Sequence, residues 1–310
     1  MLFLKKGEKK YYLFQNNYKY NIINIRGVKI MIKISYRAHD YGKSNAKDLA
    51  EKISHHKLTA VQFVINKAID GESGLAGTLT KEKCEGFYNA FHDKGIEISM
   101  LGAYFNPVHS NKEKVEQMIL KFKEHLKYAK YFHTKYVGTE TGSYNDDKWT
   151  YNPLNRTEEA LQEDIRIFSD LAECAKENDA YIVIEGAYGH CMYSPDQLKR
   201  LFDAINNGHV KITIDIFNYL DISNYNEQIE IFNRAIELFK SDVVVFHLKD
   251  FIVDKENNKL VQVGLGQGLM RWDLFFPIIK KECPEAYLTF EGIKPEDIDS
   301  SIDCVYKYYR

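Results

Sequence analysis

Glu185, Asp215, His247 and Glu291 each stand directly behind a short apolar run: Ile182-Val183-Ile184, Ile212-Thr213-Ile214, Val243-Val244-Val245-Phe246 and Leu288-Thr289-Phe290. Three carboxylates and an imidazole are the donors that hold a divalent cation such as Mn²⁺, Mg²⁺, Co²⁺ or Zn²⁺, with no cysteine required. Without a cation, three converging carboxylates repel one another strongly, and one divalent metal ion removes that conflict. The donor types alone do not choose among the four metals. A single acid in such a place is most often a helix cap or an ion-pair partner. Four ligand-type side chains at corresponding positions are not explained that way. Other apolar runs lead into Arg37, His39 and Asp40, into Tyr104, Asn106 and His109, and into Glu140 within Gly138-Thr139-Glu140-Thr141-Gly142. His109 and Glu140 are candidate substrate-binding residues. The competing readings are a hydrogen-bonded loop histidine and a tight turn between glycines.

These residues need elements that bring them to one place. Strands are expected over 32–36, 60–65, 96–103, 136–138, 181–184, 210–214, 243–246 and 287–290, several of them continuous apolar runs that suit parallel strands covered on both faces. The stretches between them are helical in pattern. Ser110-Asn111-Lys112-Glu113 and Ser194-Pro195-Asp196-Gln197 are capping boxes, and Thr157 precedes the acids Glu158 and Glu159. Eight such β/α repeats predict a single (β/α)₈ barrel over residues 31–310, with a doubly wound open sheet as the runner-up. No GxGxxG follows the first strand, which weakens a dinucleotide-binding reading. In a barrel the chemistry sits at the carboxyl ends of the strands, where all the residues named above fall.

Taken in order, the Glu185-Gly186 turn, Asp215-Ile216-Phe217-Asn218, Phe246-His247-Leu248-Lys249-Asp250, the glycine loop Val263-Gly264-Leu265-Gly266-Gln267-Gly268 and Phe290-Glu291-Gly292 resemble the xylose isomerase-like barrel superfamily. Within it they resemble the sugar phosphate isomerase/epimerase group, which includes ketose 3-epimerases. The resemblance covers essentially the whole chain from Met31. It implies one divalent metal ion held by Glu185, Asp215, His247 and Glu291, with Glu185 and Glu291 also acting as proton-transferring acid and base on a small sugar or sugar phosphate. Asn218 stands where the epimerases usually carry a histidine; it can hydrogen-bond a substrate hydroxyl but cannot shuttle a proton. Gln267 stands where their glycine loop commonly has a glutamate. Lys249 shares a strand face with His247 and could stabilise an enediolate or bind a phosphate, while Asp250 could orient His247; an ordinary Lys249–Asp250 ion pair is the alternative. Two other functions compete: a metal-dependent apurinic-site endonuclease, which shares this barrel, and a sugar-binding barrel without catalysis.

Composition narrows the partners. The 310 residues carry 42 basic and 44 acidic side chains, a net charge of −2, so electrostatics give no reason to expect nucleic acid. The apolar runs are too short to cross a bilayer. Five scattered cysteines without a CxxC pair fit a reducing cytoplasm better than a disulfide framework. Aromatic-rich helices are compatible with a homodimer. The first thirty residues differ from the rest, rich in lysine, tyrosine and asparagine and without a signal-peptide pattern. Two readings stand: translation from Met31, with codons for Arg26-Gly27-Val28 forming a purine-rich ribosome-binding sequence, or a genuine flexible extension over residues 1–30. N-terminal sequencing of protein from its native host separates them: an end at Met31 or Ile32 is expected from the first, an end at Met1 or Leu2 from the second.

Overall fold

Apolar β-branched runs become strands whose two faces meet different partners, and that difference builds this molecule. The computed structural model describes residues 32–309 in full and, before them, the backbone of Ile22–Ile25 and Val28–Met31, which pair as an antiparallel ribbon. The choice between a start at Met31 and an extension rests largely on residues 1–21, 26 and 27, outside the described residues. Eight parallel strands follow: β1 (Ile34–Arg37), β2 (Ala60–Phe63), β3 (Glu97–Gly102), β4 (Tyr136–Glu140), β5 (Tyr181–Glu185), β6 (Val210–Asp215), β7 (Val243–Leu248) and β8 (Tyr287–Phe290). β8 pairs with β7 on one side and with β1 on the other, so the sheet closes. The result is a single (β/α)₈ barrel and not an open doubly wound sheet.

The outward faces of the strands and the inward faces of the surrounding helices form one large apolar core that includes Tyr36, Phe63, Phe168, Phe246 and Phe275. The barrel interior is different. Met100, Val183 and Val245 make a small separate cluster there, and Ser35 and Ser99 hydrogen-bond across it at 2.9 Å. Gly138 leaves the room that Met100 occupies, since a Cβ there would lie 2.6 Å from the methionine sulfur. Between Val61 and Gln62 the pairing of β2 with β3 slips, leaving Ser99 as an extra residue on β3. Such a bulge reverses the in–out alternation of the strand beyond it. Ser99 and Met100 both face the interior as a result, and Gly102 and Tyr104 follow Met100 in pointing inward.

Helices start close to where the sequence signals them. Thr157 and Ser194 accept the N–H of Ala160 and Gln197 respectively. Ser110 does not cap its helix: Asn111 takes that place, accepting from Lys114 N, and Ser110 instead donates to the Asp146 carboxylate from both its backbone N–H and its hydroxyl. Among the described residues no helix is long and apolar enough to cross a membrane. Beyond β7 the chain forms a hairpin (Asp250–Asp254 with Lys259–Val263) that strand patterning alone does not predict. Asp250, fully buried, anchors it and the glycine loop that follows. Its carboxylate accepts the N–H groups of Phe251, Gly266 and Met270 at 2.8, 2.8 and 2.9 Å. It is therefore occupied with backbone and neither orients His247 nor pairs with Lys249. Asp250→Ala leaves three N–H groups without that acceptor and is expected to lower stability by roughly 2–4 kcal/mol, measured by denaturant unfolding, with faster amide exchange at Gly266 and Met270.

Candidate metal centre and cleft

Strand register brings the predicted ligands together. Asp215 on β6 lies opposite His247 on β7, and Glu140 on β4 opposite Glu185 on β5. Glu291 follows β8 two residues after Thr289, which pairs with His247, and so it projects to the same mouth of the barrel. One ligand atom from each of Glu185, Asp215, His247 and Glu291 lies within 4.8 Å of the others.

Their hydrogen bonds sort the donor atoms into inner and outer sets. His247 Nδ1 is 3.1 Å from Glu185 Oε2 and 2.9 Å from Glu291 Oε2. The outer oxygens have other partners. Glu185 Oε1 accepts from Asn218 Nδ2 at 2.7 Å, and Glu291 Oε1 accepts from Arg37 Nη1 and lies 2.7 Å from Lys249 Nζ. Asp215 Oδ1 accepts the backbone N–H of Asn218, and its Oδ2 is 2.9 Å from Lys249 Nζ. On the far side of the imidazole, Nε2 is 2.7 Å from Gln62 Oε1. An amide oxygen only accepts, so Nε2 carries the proton, and in the neutral ring Nδ1 turns its lone pair to the two glutamates. Nδ1 is buried and has no aligned hydrogen-bond partner despite its two close carboxylates. An unpartnered imidazole nitrogen facing two inner carboxylate oxygens fits a single divalent cation.

The charges show what the cluster requires. Burial opposes a charge on His247, but Glu185 and Glu291 outweigh it and push its pKa up to about 10. Burial would likewise raise Glu291, yet Lys249, His247 and Arg37 hold its carboxyl well below the usual range. Asp215 is pushed up to about 6 by burial, against the pull of Lys249. Lys249 is itself buried, and Asp215 and Glu291 keep it charged in spite of that.

Around this centre the mouth opens into two connected lobes of about 410 and 280 Å³, which share Arg37, Glu140, Trp149 and Glu291. Of the residues expected to bind substrate, Asn218 and Lys249 line the larger lobe and Glu140 lines both. His109 is not brought to the cleft. Its Nδ1 accepts the N–H of Asn111 and its Nε2 is 3.2 Å from Lys114 Nζ, beside Asp146 and Asp147, so it braces the loop that starts the 112–128 helix. His39 and His190 do line the cleft, and burial lowers the pKa of each to about 4, leaving both rings neutral. Arg37 and Tyr104 stand at strand ends in the sequence without a role being assigned to them there, and sequence patterns do not pick out Gln62 and Trp149 at all. What the sequence does not show for Arg37 is its bond to Glu291, which joins residues 254 positions apart. Trp149 carries no strand-end signal, since it reaches the cleft only through the 143–153 loop.

A closed parallel barrel with a carboxylate–imidazole centre at its carboxyl mouth defines the class of (β/α)₈ protein that works at that end. Within that class, the chain belongs to the xylose isomerase-like TIM barrel family, whose model matches residues 39–308. Solved structures share the fold at low identity. A D-psicose 3-epimerase with D-tagatose, from Clostridium cellulolyticum H10, is 10% identical with a TM-score of 0.65, covering 90% of this chain and 100% of its own. The IOLI protein with a bound zinc atom is 15% identical at 0.65, covering 89% and 96%. A probable 3-DHS dehydratase from Bacillus anthracis is 14% identical at 0.67, covering 89% and 99%. No curated protein sequence matches the chain.

Glu140 offers a test of the electrostatics. Burial, then Glu185 and Glu291, push its pKa up to about 8. An acid that keeps its proton longer when folded stabilises the fold at low pH, and that contribution is lost as pH rises from the unfolded value through about 8. In metal-free protein, Glu140→Gln should therefore gain stability over the wild type progressively between pH 4.5 and 8, followed by denaturant midpoints across that range.

Proposed function

We propose that this protein is a divalent-metal-dependent isomerase or epimerase of a small sugar or sugar phosphate. The observation that carries this reading is the pair Glu185 Oε2 and Glu291 Oε2 flanking His247 Nδ1 at 3.1 and 2.9 Å, at the floor of a polar cleft. Glu185, Asp215, His247 and Glu291 would hold one divalent cation. Such a cation acidifies the hydrogen beside a ketose carbonyl and stabilises the enediolate left by its removal.

The chain's own residues supply the rest. Glu185 and Glu291, which flank His247 Nδ1, are the two carboxylates that remove or return a proton at carbon. Removal by one and return by the other inverts that carbon; a single base working along one face moves the carbonyl instead. Asn218 keeps the outer oxygen of Glu185 occupied, while Arg37 and Lys249 keep Glu291 ionised, so neither base rotates away from the substrate. Asn218 and Lys249 also border the cleft, where they bind substrate oxygens. Glu140 lies beside them and takes a substrate hydroxyl. The solved 3-epimerases of the same fold support this reading.

Elemental analysis of the purified protein is expected to give about one Mn, Co, Zn or Mg per chain, lost in Glu185→Ala. With that metal, a panel of free and phosphorylated ketoses should reveal turnover, and Glu291→Gln should abolish it while circular dichroism stays unchanged. Normal turnover by Glu291→Gln with unchanged metal content would sink the proposal. Two or three zincs per chain, with cleavage of an abasic oligonucleotide, would instead support the endonuclease reading. No metal under any condition would support a binding barrel without this chemistry.

A further inference from the structure

We propose that Tyr104 is a hydrogen-bond donor to the substrate oxygen at the reacting centre, and that Gln62 is the positioning residue that aims its proton there. This inference rests on the function proposed above and adds a residue to its machinery. It follows from the direction of a chain of hydrogen bonds. His247 Nε2 meets Gln62 Oε1 at 2.7 Å, so the imidazole donates and the amide oxygen accepts. The amide orientation is then fixed, and Gln62 Nε2 has to donate to its other neighbour, the Tyr104 hydroxyl, at 2.5 Å. That oxygen is occupied as an acceptor from the Gln62 side, so the tyrosine's own proton must point elsewhere. Gln62 is wholly buried, which removes water as a competing partner for either end of the amide.

The cleft is where that proton can go. Tyr104 lines the smaller lobe together with Arg37, Glu140 and Glu291. Burial, followed by Glu185 and Glu291, holds its hydroxyl well above its usual pKa, so it stays a donor. Two features of the fold are spent on placing it. The bulge at Ser99 reverses the alternation of β3 and turns Tyr104 inward. Gly102 then leaves space for its ring: a Cβ there would lie 2.7 Å from the ring and 2.5 Å from Val64. A neutral phenol donor suits an oxygen that gains negative charge as the neighbouring C–H proton leaves, because the bond strengthens as that charge develops.

The test uses metal-loaded protein and glycolohydroxamate, a two-carbon mimic of the enediolate, with affinity measured by calorimetry. Tyr104→Phe keeps the ring and removes the donor; it should retain metal and fold yet bind the hydroxamate about tenfold or more weakly. Gln62→Glu reverses the last link, since a carboxylate accepts from both His247 Nε2 and Tyr104. It should therefore mimic Tyr104→Phe, and the double variant should bind no more weakly than either one. Nitrogen-15 histidine spectra should show His247 protonated at Nε2 in the wild type and in both single variants, a readout that a merely structural role for Gln62 would not couple to ligand affinity. Wild-type affinity in Tyr104→Phe, or additive losses in the double variant, overturns the proposal while leaving the metal-dependent function standing. Should Gln62→Glu not fold, Tyr104→Phe alone decides. Wild-type protein that takes up metal but binds no hydroxamate overturns the enediolate chemistry itself, and this proposal with it.

Discussion

Three carboxylates crowded around one imidazole nitrogen at the mouth of a barrel cannot persist there as bare anions. With one ligand atom from each residue within 4.8 Å of the rest, their mutual repulsion is the constraint that the surrounding structure answers. Part of the answer is built into the chain. Lys249 reaches Asp215 and Glu291 from a buried position, Arg37 reaches Glu291, and without a cation the two glutamates favour the charged form of His247. A divalent cation would supply the same compensation more compactly at the inner oxygens, leaving Lys249 and Arg37 to hold the outer oxygen of Glu291.

Everything further out serves geometry. Closure of the sheet sets β7 between β6 and β8, which puts Asp215 and His247 side by side and brings Glu291 to the same rim. The small, partly polar interior, with Ser35 bonded to Ser99 and Gly138 yielding to Met100, lets the strands close on a narrow lumen beneath the site. Asp250 ties the hairpin after β7 to the glycine loop, and Gln262 from that hairpin donates to the carbonyl of Glu291. The loops are therefore anchored by side chains that bond to their backbone.

Much of this was legible in the amino-acid sequence. Eight apolar runs separated by helical stretches specify eight strands, because both patterns arise from local periodicity and from which residues tolerate burial. The four ligand candidates could be picked out for the same reason: a charged residue directly after an apolar strand is a local anomaly. Asn218, Lys249 and Glu140 were visible as polar residues at strand ends, and the structure sets them around the cleft. Local pattern also assigned wrongly where two neighbours competed. Asn111, not Ser110, caps its helix because Asp146, distant in sequence, takes both polar groups of the serine.

What only the tertiary structure decided is which residues from separate repeats meet. The tilt of the barrel, one inserted residue on β3 and the path of the 143–153 loop bring Arg37, Tyr104 and Trp149 to the cleft, set Gln62 between His247 and Tyr104, and keep His109 out of the cleft. A bulge shifts alternation by one residue, and it arises from pairing with a neighbouring strand; nothing in the Ile98–Tyr104 pattern announces it. The sequence by itself therefore determined the set of strands and the ligand types that could stand at their ends. Closure determined the distances between those ligands and the hydrogen bonds that orient them, because both depend on contacts between residues far apart along the chain.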